Sequence, residues 1–141
     1  STQNSDCYVG HWGDIYCWTM TPFEFKLSNM AVRGLYGNDS AGYPYAIQLS
    51  QIIDWTGITL GASWSFPGFS VSPGVTGGAA TWSSNPYTKT FIATAYTGNA
   101  SVSNPLSTFW VGTTGRSDIY VSSSTSYATT HNSWSVYDFV W

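Results

Sequence analysis

Short runs in which apolar and polar residues alternate recur along this chain, and they constrain its fold more than any other feature. Phe23, Phe25 and Leu27 alternate with charged residues, and the segment 91–96 repeats the pattern. Successive side chains of a β-strand point to opposite faces of a sheet, so such alternation predicts strands with one buried face.

Few residues in the chain favour helices, and turn-forming pairs separate the alternating runs. The sequence has 14 glycines, and pairs such as Pro67-Gly68 and Gly98-Asn99 are typical of loops. The segment 46–55 is compatible with either a strand or a short helical turn. We therefore expect an all-β fold, an antiparallel β-sandwich or a barrel-like variant, of about eight to ten short strands.

The domain organisation is simple, because 141 residues match the usual size of one domain. No proline-rich or charge-rich linker interrupts the chain, so 1–141 is predicted to be a single β domain. The polar segment 1–6 is predicted to be a flexible arm or an arm that docks on a neighbour.

The two cysteines, Cys7 and Cys17, allow a zinc site, two free thiols or one disulfide. Zinc is disfavoured because the chain lacks Cys-x-x-Cys spacing and a histidine cluster. A composition rich in Ser, Thr, Trp and Tyr but poor in Lys is typical of extracellular proteins, in which disulfides persist. We therefore predict a Cys7–Cys17 disulfide and a secreted protein.

Charged residues make up only 8% of the chain and the net charge is −3, against about 25% charged residues in ordinary domains. The four basic residues are scattered singly, which excludes a nucleic-acid partner held through its phosphates. No apolar run is long enough for a transmembrane helix.

Catalytic patterns are weak, and we expect neither an enzyme, nor a cofactor, nor a metal site. His11 and His131 are the only imidazoles, and no nucleophile elbow or phosphate-binding loop occurs. Asp54 and Asp138 each lie beside aromatic residues, a setting that raises a carboxyl pKa, but no further feature indicates a glycosidase pair. A Ser-His-Asp set that assembles only in space stays open.

Two Asn-x-Ser sequons, at Asn38 and Asn99, are candidate N-glycosylation sites, which would make the chain a glycoprotein. Both fall in predicted turns.

Aromatic residues make up 18% of the chain, more than a single small core needs. Exposed rings stack on sugars and anchor interfaces, whereas buried rings only fill the core. The candidates for a binding surface are Trp64, Trp82, Trp134, Tyr43 and Tyr45.

Three functions fit these patterns. Between Asp54 and Arg116 the only charged residue is Lys89, and uncharged strand edges favour pairing between molecules. The first hypothesis is a non-enzymatic structural subunit that assembles with copies of itself into a filament, sheath or surface layer through β-edge and aromatic contacts. The alternative is a carbohydrate-binding module or lectin whose partners are glycans. The third is a secreted toxin that acts on envelopes or membranes.

Overall fold

The computed structural model describes most of the chain, and every regular element in that part is a β-strand. The residues described are 4–9, 13–21, 23–36, 42–57, 63–65, 67–73, 77–103, 110–123 and 126–136. The ten strands found there are β1 (Asn4–Val9), β2 (Gly13–Met20), β3 (Glu24–Leu35), β4 (Ala46–Thr56), β5 (Ser63–Ser65), β6 (Ser70–Pro73), β7 (Gly77–Ser83), β8 (Ile92–Ser103), β9 (Trp110–Tyr120) and β10 (Ser126–Val136).

The strands form two antiparallel sheets of five strands each within the described residues. Sheet A has the order β1-β2-β3-β8-β5, and sheet B has the order β10-β9-β4-β7-β6. The chain crosses between the sheets repeatedly, because β4 lies in sheet B between two sheet A strands in chain order. The prediction of an antiparallel all-β fold is confirmed.

The core lies between the two sheets, and the described residues form two clusters in it. Alternation places every second side chain of a strand in this layer. The buried members of the first cluster include large side chains from both sheets: Tyr16, Met20, Phe25, Leu27, Met30, Ile53, Trp55 and Val111. The second cluster contains Val32, Ile47, Leu49, Ala93, Ala95 and Ile119.

The segment that was compatible with a strand or a helical turn is the central strand β4. Its Leu49, Gln51 and Ile53 are fully buried, which is the period of two that a strand requires. Gln51 is held in the core by a hydrogen bond that crosses between the sheets, in which the Thr97 hydroxyl donates to its Oε1 at 2.7 Å.

One prediction for β3 is wrong at its first residue. Phe25 and Leu27 are buried as expected, but Phe23 is 75% exposed and precedes the strand. The Thr21 hydroxyl accepts hydrogen bonds from the backbone N–H groups of Phe23 and Glu24, at 3.3 and 3.1 Å. These bonds place Phe23 in the turn between β2 and β3, and its ring stays exposed.

The predicted turn at Gly98-Asn99 is also wrong, because β8 runs through it without a break. The pairing of β3 with β8 shifts register here, and the left-handed φ of Gly98, 96°, and of Asn29, 54°, marks an irregularity in both strands. The Asn29 N–H donates to Asn99 Oδ1 at 3.2 Å. Glycine tolerates this backbone conformation, so the dipeptide makes a bulge rather than a loop.

The predicted disulfide between Cys7 and Cys17 is confirmed. The two residues lie directly opposite each other in the β1–β2 pairing, so the bond links adjacent strands at the edge of sheet A. In the predicted N-terminal arm, residues 4–6 belong to β1 and pair with β2, and residues 1–3 lie outside the described part.

Candidate functional site

The outer face of sheet B presents polar side chains on its two central strands, β4 and β9. Because the odd-numbered residues of β4 enter the core, Gln48 and Ser50 point to the other side, where they are half-buried. On β9 the same alternation puts Arg116 and Asp118 outward. The β4–β9 pairing sets Gln48 opposite Asp118 and Ser50 opposite Arg116, so four polar residues from distant parts of the chain share one surface.

These residues line a groove of about 350 Å³ that crosses β7, β4 and β9. A second hollow of about 180 Å³ is lined by Tyr45, Pro86 and Ser123, and it shares Gln48 and Tyr120 with the first. The two hollows therefore form one continuous depression, which we call the sheet B groove.

Two tyrosines meet at one end of the sheet B groove. The Tyr45 N–H donates to the carbonyl of Tyr120 at 2.9 Å, which fixes the two residues side by side as β4 begins and β9 ends. Tyr45 is 56% exposed and Tyr120 is half-buried. The pair offers aromatic ring surface next to polar side chains, a combination common in ligand sites.

The wall beyond Gln48 is held by backbone contacts with the segment that follows β7. The Gln48 Nε2 donates to the Ser84 carbonyl at 2.6 Å, and the Leu49 N–H donates to Ser84 Oγ at 2.9 Å. Ile47 and Tyr87 exchange two backbone hydrogen bonds, at 2.8 and 2.9 Å. These bonds fix the Gln48 amide before any ligand arrives.

Arg116 and Asp118 form an ion pair at the centre of the groove. The Arg116 Nε and Nη2 atoms lie 3.1 and 3.0 Å from Asp118 Oδ1. The Arg116 side chain is 53% exposed and the Asp118 side chain 16%, so the pair adds little to stability. Its charges cancel, while the guanidinium N–H donors of Arg116 that do not face Asp118 remain for a ligand.

At the opposite end of the same face, Asp54 and Trp110 converge over Gly112. A Cβ atom built on Gly112 would lie 2.6 Å from Trp110 Cη2 and 2.9 Å from Asp54 Oδ1. Burial raises the pKa of the Asp54 carboxyl above its ordinary value of 3.8, against an opposing hydrogen bond from its own backbone. The sequence predicted a raised pKa for Asp54 because Trp55 follows it. Trp55 is buried in the core, and the indole that lies near the Asp54 carboxyl is that of Trp110.

The structure brings two of the five predicted aromatic residues to the groove. Tyr45 and Trp82 line it, although Trp82 also packs against the second core cluster. Tyr43 is 58% exposed and packs on Phe91 instead, with ring centroids 4.6 Å apart. The side chains of Trp64 and Trp134 lie outside the described part of the structure.

Sequence reasoning missed Gln48, Arg116, Asp118 and Tyr120. Three of them, Arg116, Asp118 and Tyr120, are two positions apart in the sequence. This spacing indicates that they share the outward face of one strand. Of the candidate glycosylation sites, Asn99 is exposed on β8 and Asn38 lies outside the described residues. His11 and Asp138 also lie outside the described residues.

Within the described residues, no group of three or more His, Cys, Asp or Glu side chains is placed to hold a metal ion. That part of the chain also contains no helix long and apolar enough to span a membrane.

Comparison with known proteins gives no family. No protein-family model matches the chain, and no curated protein matches it. Among solved structures, a DUF4466 family protein from Parabacteroides merdae resembles it at 8% identity with a TM-score of 0.32. The match covers 95% of this chain and 43% of the other, so the chain spans less than half the length of that protein.

Proposed function

We propose that the protein is a carbohydrate-binding module that holds a neutral glycan in the sheet B groove. The observation that carries the proposal is the tyrosine pair, Tyr45 and Tyr120, beside the fixed amide of Gln48 and the Arg116–Asp118 ion pair. Aromatic rings accept the apolar face of a sugar. Amide, guanidinium and carboxylate groups in fixed positions donate to and accept from its hydroxyls.

The electrostatics of the groove favour an uncharged ligand. Its cation, Arg116, is already paired with Asp118 at 3.0 Å, so the described lining has no cation left over to attract a phosphate or sulfate. A polyhydroxylated ligand needs no such charge. The Cys7–Cys17 disulfide supports a place outside the reducing cytosol, where glycans are abundant, and we include secretion in the proposal.

Glycan-array screening followed by titration calorimetry tests the proposal. We expect Tyr120→Ala to weaken binding of the best array ligand about tenfold, which corresponds to about 1.4 kcal/mol. Tyr96→Ala is the matched control, because Tyr96 is 83% exposed but lies on β8 of sheet A. The absence of any array ligand, or equal losses in the two variants, would refute the assignment.

A second candidate function, self-assembly, is favoured by the edge strand β10. Within the described residues the edges of the sheets are β1, β5, β6 and β10. Strands β5 and β6 have 3 and 4 residues, and short edges resist pairing between molecules. The 11 residues of β10, SYATTHNSWSV, include no acidic residue, lysine, arginine or proline, so a second copy of β10 is the natural antiparallel partner.

Light scattering coupled to size-exclusion chromatography, with negative-stain imaging, tests this second candidate. We expect Thr129→Lys in β10 to convert assemblies to monomers, because a charge on an edge strand opposes pairing. Ser72→Lys, on the short edge β6, is the control and should leave the assemblies intact. A wild-type protein that stays monomeric at high concentration would rule out self-assembly.

A further inference from the structure

The outer face of β9 has an aromatic residue at each end, Trp110 and Tyr120. Trp110, Gly112, Thr114, Arg116, Asp118 and Tyr120 occupy alternate positions of this strand. The Cα atoms of Trp110 and Tyr120 are ten residues apart, roughly 33 Å along a strand, but the Trp110 ring lies over Gly112. The two rings are therefore separated by roughly 26 Å, a distance that only a chain of several sugars covers. This inference rests on the proposed function, because it takes the sheet B groove to be a glycan site.

The surface between the two rings suits an extended, neutral ligand. Ile52 of β4 is 43% exposed, and it pairs with Thr81 on one side and Thr114 on the other. The middle of the strip is therefore one apolar side chain between two hydroxyl-bearing residues. The Ile52 side chain can pack against the apolar face of a sugar ring, and the threonine hydroxyls can hydrogen-bond to the hydroxyls of that sugar.

The Trp110 end has the features of a second binding position. Asp54 lies opposite two small residues, Gly112 on one side and Ala79 on the other. The six-membered ring of Trp110 reaches over Gly112 to the same carboxyl. Ring and carboxyl lie side by side, as the tyrosines and polar groups do at the other end.

We infer that the protein binds a linear, neutral polysaccharide lengthwise along β4 and β9, with Trp110 and Asp54 forming a distal subsite. Tyr45, Tyr120 and Gln48 hold the first sugars. Ile52 supports the middle of the chain. A disaccharide reaches only one end, whereas a longer oligosaccharide contacts both.

Titration calorimetry with cello-, xylo-, laminari- and chito-oligosaccharides, from disaccharide to octasaccharide, tests the inference. We expect affinity to rise with length in the series that binds. Trp110→Ala should weaken octasaccharide binding about tenfold and leave disaccharide binding unchanged, while Tyr120→Ala should weaken both. Trp110→Phe, which keeps a ring, should recover part of the long-ligand affinity.

Gly112→Ala provides an independent variant, since its Cβ would displace both Trp110 and Asp54. It should reproduce the selective loss for long ligands, and thermal unfolding of each variant identifies any that fail to fold. Disaccharide and octasaccharide bound equally well, or a Trp110→Ala loss that does not depend on length, would overturn the lengthwise site and leave the proposed function standing. Failure of all four series and of the array to bind would overturn both.

Discussion

Ser117 on β9 shows how closely the two sheets approach. Its side chain is fully buried, and its Oγ has no hydrogen-bond partner among the described residues. A Cβ on Gly34 would lie 2.6 Å from Ser117 Cβ, so glycine permits β3 and β9 to pack at this point. A buried hydroxyl without a partner costs the free energy of its desolvation.

Ser117→Ala should therefore raise the free energy of unfolding by about 1 kcal/mol, because it removes the buried hydroxyl and keeps the Cβ. Chemical denaturation measures the change. Ser117→Val is the matched control and should destabilise the protein, since its added methyl groups have no room beside Gly34. A stability that falls in the alanine variant would contradict this account of the site.

Asp54 should make stability depend on pH in a defined direction. Its folded pKa is raised from 3.8 by burial, so the folded state holds this proton more tightly than the unfolded state. Stability from this group is therefore highest below pH 3.8 and falls as pH rises through the folded pKa. Asp54→Asn should be more stable than wild type at neutral pH, with a difference that shrinks in acid.

Urea denaturation of both proteins across the acid range measures that difference. Asp6→Asn serves as a control, because Asp6 is exposed on the edge strand β1. An Asp54→Asn advantage that is the same at all pH values would show that the substitution acts through packing rather than through ionisation.

At the scale of elements, the strands that alternate strictly were predictable and the irregular ones were not. Ala93 and Ala95 enter the core as the pattern indicates. The dipeptide Gly98-Asn99 looks like a turn because glycine and asparagine adopt left-handed backbone conformations, yet β3 supplies a matching irregularity at Asn29. A single sequence does not reveal that partner, since the two strands are far apart along the chain.

The β1–β2 hairpin should be the element most dependent on the disulfide. Within the described residues β1 pairs with β2 alone, and closing a loop of 10 residues contributes roughly 3 kcal/mol in the chain-entropy model. A double variant, Cys7→Ser with Cys17→Ser, should lower the unfolding temperature and speed hydrogen exchange in β1. Exchange in the central strands β4 and β9 should change little under native conditions, and uniform acceleration across both sheets would contradict this assignment.

At the scale of the whole molecule, neither sheet is complete until most of the chain is present. β4 of sheet B pairs with β9, and β3 of sheet A pairs with β8, so both central pairings join distant segments. The sheet B groove has the same origin, because Gln48 meets Asp118 only through the β4–β9 register. Sequence patterns suggested Tyr45 and Trp82 as exposed aromatics, but the residues brought beside them depend on strand order.

A fragment that ends at Ser103 should consequently fail to unfold cooperatively. It lacks β9, which lies between β10 and β4 in sheet B, and exposes one side of the central strand. Thermal unfolding followed by near-ultraviolet circular dichroism measures this, with the full chain as reference. Addition of a peptide covering 110–136 should restore a cooperative transition, and a fragment that melts cooperatively alone would show that the fold does not need β9 and β10.

The position of β4 in the middle of sheet B also has a mechanical consequence. β7 lies on one side of it and β9 on the other, each joined to it by an antiparallel ladder. Tension applied along a polymer lying on this face would load those ladders in shear, so many hydrogen bonds would share the force. A ligand attached to an edge strand would instead break that strand's ladder one hydrogen bond at a time, so attachment over β4 would load more hydrogen bonds at once.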